Sequence, residues 1–229
     1  MISLFKDFFK PDDNVGFLSD NLINIILEKT TPQKISIKLS EKEIILFQGD
    51  SITDCDRKRG KQRFNDFKGL GNGYPKFITE ELLEKHPEKD LKLYNRAISG
   101  NKAFQLLSRW EEDCLLLKPT LLSILIGVND YWHYLNGKYS GDIKIFEKDL
   151  RLLIMKSLST LPNLKIVLGE PFALKGVEVV DESWFPEFYN YQKVVKELAI
   201  KFNLPFIPYQ NILDEATKHQ PAKSWTYDG

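Results

Sequence analysis

Three short segments of this chain carry residues able to do acyl-transfer chemistry. The first is Gly49-Asp50-Ser51-Ile52-Thr53, which follows directly on the apolar run 43–48. A serine placed straight after a buried strand can present both its hydroxyl and its own N–H to a cleft, as a nucleophile requires. Thr53 stands where the G-x-S-x-G elbow has its second glycine, so the turn is not that of the α/β-hydrolases. On these residues alone Ser51 fits two roles equally, a nucleophile or a cap for the following helix. The second segment, Asn95-Arg96-Ala97-Ile98-Ser99-Gly100-Asn101, offers Gly100, where the bare backbone can bring an N–H close to a ligand. A plain strand-to-helix turn would read the same. The third, Gly127-Val128-Asn129-Asp130, offers the Asn129 amide, which could donate to a developing oxyanion or support its own turn.

Those segments need elements to bring them together. Apolar runs predict strands over 43–48, 91–95, 120–127, 165–168 and 205–208. Helical spacing predicts helices over 74–85, 104–117, 142–159 and 186–202, with Pro119 stopping the second. Strands alternating with helices make one doubly wound parallel α/β sheet. Such sheets gather functional groups at the carboxyl ends of their strands, where Ser51, Gly100 and Asn129 all fall. Residues 1–42 follow a different pattern, with a short amphipathic helix expected over 21–29 and a half-buried strand over 34–39. They are expected to form an N-terminal extension packed on the main domain, which spans 43–229.

Bulk properties narrow the function further. The 229 residues suit one substantial core. Basic and acidic residues balance at 32 each, so no net field calls for nucleic acid or an acidic membrane surface as partner. Mixed-sign runs such as Asp56-Arg57-Lys58-Arg59 read as solvated faces. Two cysteines, Cys55 and Cys114, cannot build a disulfide framework and have no metal-site spacing, so reduced thiols are expected. The N-terminus is too broken by Lys, Asp and Pro for a secretory leader, which makes a cytoplasmic location the expectation.

Taken together, GDSIT, NRAISGN and IGVND resemble the first three blocks of the GDSL/SGNH hydrolases, over 44–229. The resemblance implies a three-layer sandwich around a five-stranded parallel sheet, flavodoxin-like in the manner of SGNH hydrolases. It implies Ser51 as nucleophile, and an oxyanion hole made by the N–H groups of Ser51 and Gly100 with the Asn129 side chain. It implies no metal or organic cofactor. The family's last block is D-x-x-H. Asp228 matches its aspartate, but the histidine would fall two residues past Gly229. The expectation is a chain cut short of its base. The alternative is a short natural product, with His133 the one substitute worth testing beside the less suitable His86 and His219.

The wording around the blocks is closer still to one branch. GDSITDCDR, LGNGY, RWEEDCL, SILIGVNDYWH and the final W-x-x-D-G are similar to acetylxylan esterases. That likeness implies an acetylated oligosaccharide or other small ester as substrate, and relatives that often form homo-oligomers. Tyr131, Trp132 and Trp184 could stack on a sugar ring, with Asp50 and His133 near the same rim. Two other readings stay open. One is a non-catalytic carbohydrate-binding pseudo-enzyme; the other is a lysophospholipase or thioesterase with a longer acyl chain.

Overall fold

The structure, a computed structural model, describes residues 37–226. All five expected strands form: β1 Ile44–Gly49, β2 Lys92–Asn95, β3 Leu121–Leu125, β4 Lys165–Gly169 and β5 Phe206–Ile207. They pair in parallel in the order β2-β1-β3-β4-β5. In the register, Phe47 lies opposite Asn95 on one side and Ser123 on the other. This is the flavodoxin-like order, and its switch point lies between β1 and β3. Ser51 follows the first of those strands and Asn129 the second.

Alternation along each strand divides the core between two faces. Leu46, Leu122, Ile124, Ile166 and Leu168 pack on one side. Ile45, Phe47, Leu121, Leu125 and Val167 pack on the other. The second face is covered by α3 (Tyr74–Lys85) and α9 (Tyr209–Thr217). The first is covered by α4 (Ala103–Ser108), α5 (Trp110–Asp113), α7 (Ile143–Thr160) and α8 (Phe188–Lys201). Two one-turn helices, α1 (Ser51–Asp54) and α2 (Phe67–Leu70), lie in the long β1–α3 connection, and α6 (Val128–Leu135) follows β3. The α7 helix shows why the pattern was legible. Asp142 caps it by accepting the N–H groups of Lys144 and Ile145, while Phe146, Leu150, Leu153, Ile154 and Ser157 bury one stripe.

Three expectations need correction. The helix expected over 104–117 is broken at Arg109, which leaves α4, α5 and a 3-10 turn over Leu115–Leu117. The break lets Trp110 turn fully into the core and donate its indole N–H to Ser157 Oγ at 2.9 Å. Val128–Leu135, read as a strand-end loop at its start, is helical, and α9 follows β5 without having been foreseen. Residues 37–39 are irregular rather than a strand. Even so, Ile37 and Leu39 pack against the α3 face, and Lys89 and Lys165 donate to Leu39 O and Lys38 O at 2.8 and 3.2 Å. The helix expected over 21–29 and the start of that strand lie outside the described residues. Among the described residues no helix is long and apolar enough to cross a membrane.

Candidate active site

β1 ends in Gly49 because nothing larger fits: a Cβ there would lie 2.3 Å from Leu125 O and 2.5 Å from Thr53 Oγ1. The chain then turns straight into α1. The cap of that helix is Asp50, whose Oδ1 accepts the Ile52 N–H at 3.1 Å. Ser51 is therefore not the cap. It occupies the first helical position, where the N–H has no intrahelical acceptor, and its side chain is exposed.

The β2–α4 loop carries Gly100 at φ +80°, a conformation that suits glycine. No partner for its N–H occurs among the described residues. The loop around it is tightly braced. Ser99 N–H donates to Asp54 Oδ2 at 2.8 Å, and Arg57 Nε donates to Ala97 O at 2.6 Å. Arg109 reaches Arg96 O through Nη1 at 2.8 Å and Asn101 Oδ1 through Nε at 3.0 Å. Asn95 Nδ2 ties the end of β2 to Thr53 O and Leu70 O at 2.6 and 2.8 Å.

Asn129 sits in the first turn of α6. Its Nδ2 is buried and has no hydrogen-bond partner among the described residues, an unusual state for a buried amide. Asp50 Oδ2 is buried and unpartnered as well. The Asn129 amide is close enough to draw the Asp50 pKa down, yet not within hydrogen-bonding geometry. Burial is the larger influence on Asp50 and raises its carboxyl to about 7. Asp130, the next residue, is likewise raised to about 7 by burial, and its two oxygens accept the Ala103 N–H at 3.1 and 3.2 Å. It thus links α6 to the start of α4.

Ser51 and Asn129 line one cleft of about 330 Å³, together with Trp132 and Trp184. The two indoles stack with centroids 6.5 Å apart and planes at 26°, an apolar wall in which Trp132 is half-buried and Trp184, behind it, is buried. Tyr131 is not part of that wall. It is buried, and its hydroxyl donates to Trp184 O at 2.8 Å, so it holds the wall from behind. Gly100 and His133 are not among the cleft-lining residues. His133 Nδ1 lies 3.0 Å from Lys102 Nζ. Burial, then Lys102 and Lys138, hold its pKa below the usual histidine value. His86 lines a separate apolar groove beside α3, and His219 lies near Glu215 beyond α9. Asp228 lies outside the described residues.

Several cleft residues were not singled out from the sequence: Ile52, Cys55, Val128, Phe172, Leu213 and Trp225. Phe172 follows β4, and its loop is held by a buried amide pair. Gln210 exchanges bonds with both backbone groups of Ala173, while Gln192 reaches Pro171 O and Gln210 Oε1. No local motif announces such a pair, because its members meet only across α8 and α9. Among the described residues no group of three or more His, Cys, Asp or Glu side chains could hold a metal ion.

Comparison with known proteins places these features in context. Residues 47–229 match the GDSL-like lipase/acylhydrolase family. An acetylxylan esterase of Geobacillus stearothermophilus is 34% identical over 196 residues, covering 82% of this chain and 87% of the relative. The solved structure of a GDSL-like lipase described from Parabacteroides merdae superposes with a TM-score of 0.82 at 46% identity, covering 85% of this chain and 90% of that one. The G. stearothermophilus acetylxylan esterase Axe2 superposes with a TM-score of 0.70 at 30% identity, covering 84% and 90%. Axe2 has also been solved as catalytic mutants with alanine replacing a serine, an aspartate or a histidine.

Proposed function

The chain belongs to the GDSL-like lipase/acylhydrolase family, and on that premise we propose that it removes acetyl groups from sugars such as acetylated xylo-oligosaccharides, with Ser51 as nucleophile. The observation that carries this reading is the Asn129 Nδ2, buried without a partner among the described residues in the cleft that Ser51 lines. A donor left unpaired in the resting protein is ready for an oxygen that becomes anionic only during reaction. On this reading the N–H groups of Ser51 and Gly100, for which no partner occurs among the described residues, are the other two donors. The Trp132–Trp184 wall supports a sugar rather than an extended lipid as the group that leaves.

The reaction runs in two steps. Ser51 Oγ attacks the ester carbonyl and gives its proton to a base, and the carbonyl oxygen becomes the oxyanion. The C–O bond to the sugar then breaks, the sugar oxygen takes the proton, and an acetyl-serine remains. Water attacks that ester, its proton passes to the base, and acetate leaves as Ser51 recovers a hydrogen. None of His86, His133 and His219 lines the cleft. The reading therefore takes the base to be a histidine three positions after Asp228, paired with that aspartate.

The test compares p-nitrophenyl acetate hydrolysis by two proteins: the 229-residue chain, and the same chain lengthened so that a histidine stands three positions after Asp228. Activity is expected only in the longer form, and Ser51→Ala should abolish it. Acetate esters should be cleaved faster than octanoate esters; the reverse preference would favour the longer-chain acylhydrolase reading. Activity that survives Ser51→Ala would remove the nucleophile assignment. The Trp132 and Trp184 indoles in the cleft also suit a second reading, a carbohydrate-binding protein. That reading predicts xylo-oligosaccharide binding with no hydrolysis in either form.

A further inference from the structure

In the run Asp56-Arg57-Lys58-Arg59, Asp56, Lys58 and Arg59 are exposed as a solvated face should be, but Arg57 is not. Arg57 is only 7% exposed. Its Nε donates to Ala97 O, its Nη1 has no partner, and no carboxylate pairs with it among the described residues. A guanidinium buried without a counter-ion is costly. Asp54, the acid that acts most strongly on it, is already engaged by the Arg59 side chain at 3.0 Å and by the Ser99 N–H. Arg96 adds a second buried guanidinium with an unpaired Nε. Burial, with Arg96 and Arg59 acting in the same direction, lowers the Arg57 pKa to about 10 against the pull of Asp54. Arg57 is thus still a cation at neutral pH.

Arg57 lines a polar cavity of about 560 Å³ together with Lys58, Arg59, Lys68, Asp54 and Ser99. Its walls are built by backbone pairing: Lys58 N–H donates to Lys68 O, and Asn72 N–H to Cys55 O, both at 2.7 Å. Four basic side chains face this space against two acids, Asp54 and Asp56, in a chain whose overall charge is zero. The cavity also adjoins the acyl site. α1 starts at Ser51 and ends at Asp54 in the cavity wall, a span of about 6 Å along four helical residues. Ser99 precedes Gly100.

We propose that this cavity is an anion subsite in which Arg57, with Lys58 and Lys68, takes the carboxylate of an acidic sugar carried by the acetylated substrate. The choice of a sugar rests on the esterase reading above; the choice of an anion rests on the buried guanidinium, which no carboxylate pairs with directly among the described residues, and on the basic side chains around it. The Arg57 guanidinium supplies a fixed positive charge in the wall, and the two lysines add attraction that salt weakens.

Arg57 also braces the Gly100 loop, so the exposed pair Lys58 and Lys68 is the place to test the subsite. The full chain, ¹⁵N-labelled, is titrated with sodium glucuronate, xylose and inorganic phosphate while amide shifts are followed. Saturable glucuronate shifts confined to residues 54–59, 68–72 and 99 are expected, with none there from xylose. The Lys58→Glu/Lys68→Glu variant should weaken glucuronate binding about tenfold or more. No saturable glucuronate shift, or binding equal in the double variant, would overturn the proposal. Phosphate binding in place of glucuronate would overturn its assignment to an acidic sugar. If glucuronate binds here while the lengthened chain fails to cleave acetate esters, the anion site stands and the esterase reading fails, so the two are separable.

Discussion

On the proposed esterase reading, Asn129 is the side chain on which the chemistry turns. Its Nδ2 is buried with no hydrogen-bond partner among the described residues, so its replacement removes a buried donor that is costly to leave unpaired. In the lengthened chain, Asn129→Ala should lower kcat by about 10²–10³, or roughly 3–4 kcal/mol of transition-state stabilisation. The thermal midpoint should stay level or rise. Steady-state kinetics and a melting curve on one preparation check both halves; a large loss of stability would mean that the amide holds structure instead. Ser51 and Asn129 were legible because each follows an apolar run that had to be a strand. The roles of their neighbours were not legible. Asp50 emerges as the cap of α1, and Tyr131 as a support behind Trp184, because burial and bonding direction depend on what packs across the sheet.

At the scale of elements, the break between α4 and α5 matters most. It aims Arg109 at Arg96 O and Asn101 Oδ1, on either side of Gly100. Lysine cannot reproduce this forked contact. Arg109→Lys should therefore lower kcat in the lengthened chain while KM changes little, which kinetics on p-nitrophenyl acetate would detect; unchanged kcat would free the loop from this brace. The same break buries Trp110 completely. Trp110→Ala should cost about 3–5 kcal/mol, measurable by urea unfolding. The unbroken helix expected over 104–117 missed this because helical periodicity counts apolar positions. It does not register that one side chain reaches the core only if the axis turns.

For the molecule as a whole, pH is the informative variable. Asp50, Asp130 and Glu170 are each raised to about 7, with burial as the first cause. Each holds its proton more tightly folded than unfolded. Their contribution to stability is complete below the ordinary carboxylate range and is lost as pH rises through about 7. Asp54 and Glu43 act in the opposite sense. Burial would raise both, but Ser99 N–H and Arg59 at Asp54, and Lys165 and Thr120 at Glu43, outweigh it and lower their pKa values. Their contribution is lost as pH falls below the usual carboxylate range. The melting temperature should therefore peak on the mildly acidic side and decline toward pH 8. Asp130→Asn should flatten the alkaline limb; a profile that climbs steadily to pH 8 would contradict the buried, protonated acids.

The sequence by itself determined the strands, their parallel pairing through helical connections, and the placing of three motif residues beyond the carboxyl ends of β1, β2 and β3. It could do so because strand runs and cap residues are local, and because a parallel doubly wound sheet leaves few places for a functional group. Only the tertiary structure decided which of these residues share a cleft, that Tyr131 faces inward, that His133 is turned toward Lys102, and that Arg57 is buried beside Arg96. Those outcomes depend on contacts between residues far apart in the chain. Burial, unpaired donors and shifted pKa values exist only once those contacts have formed.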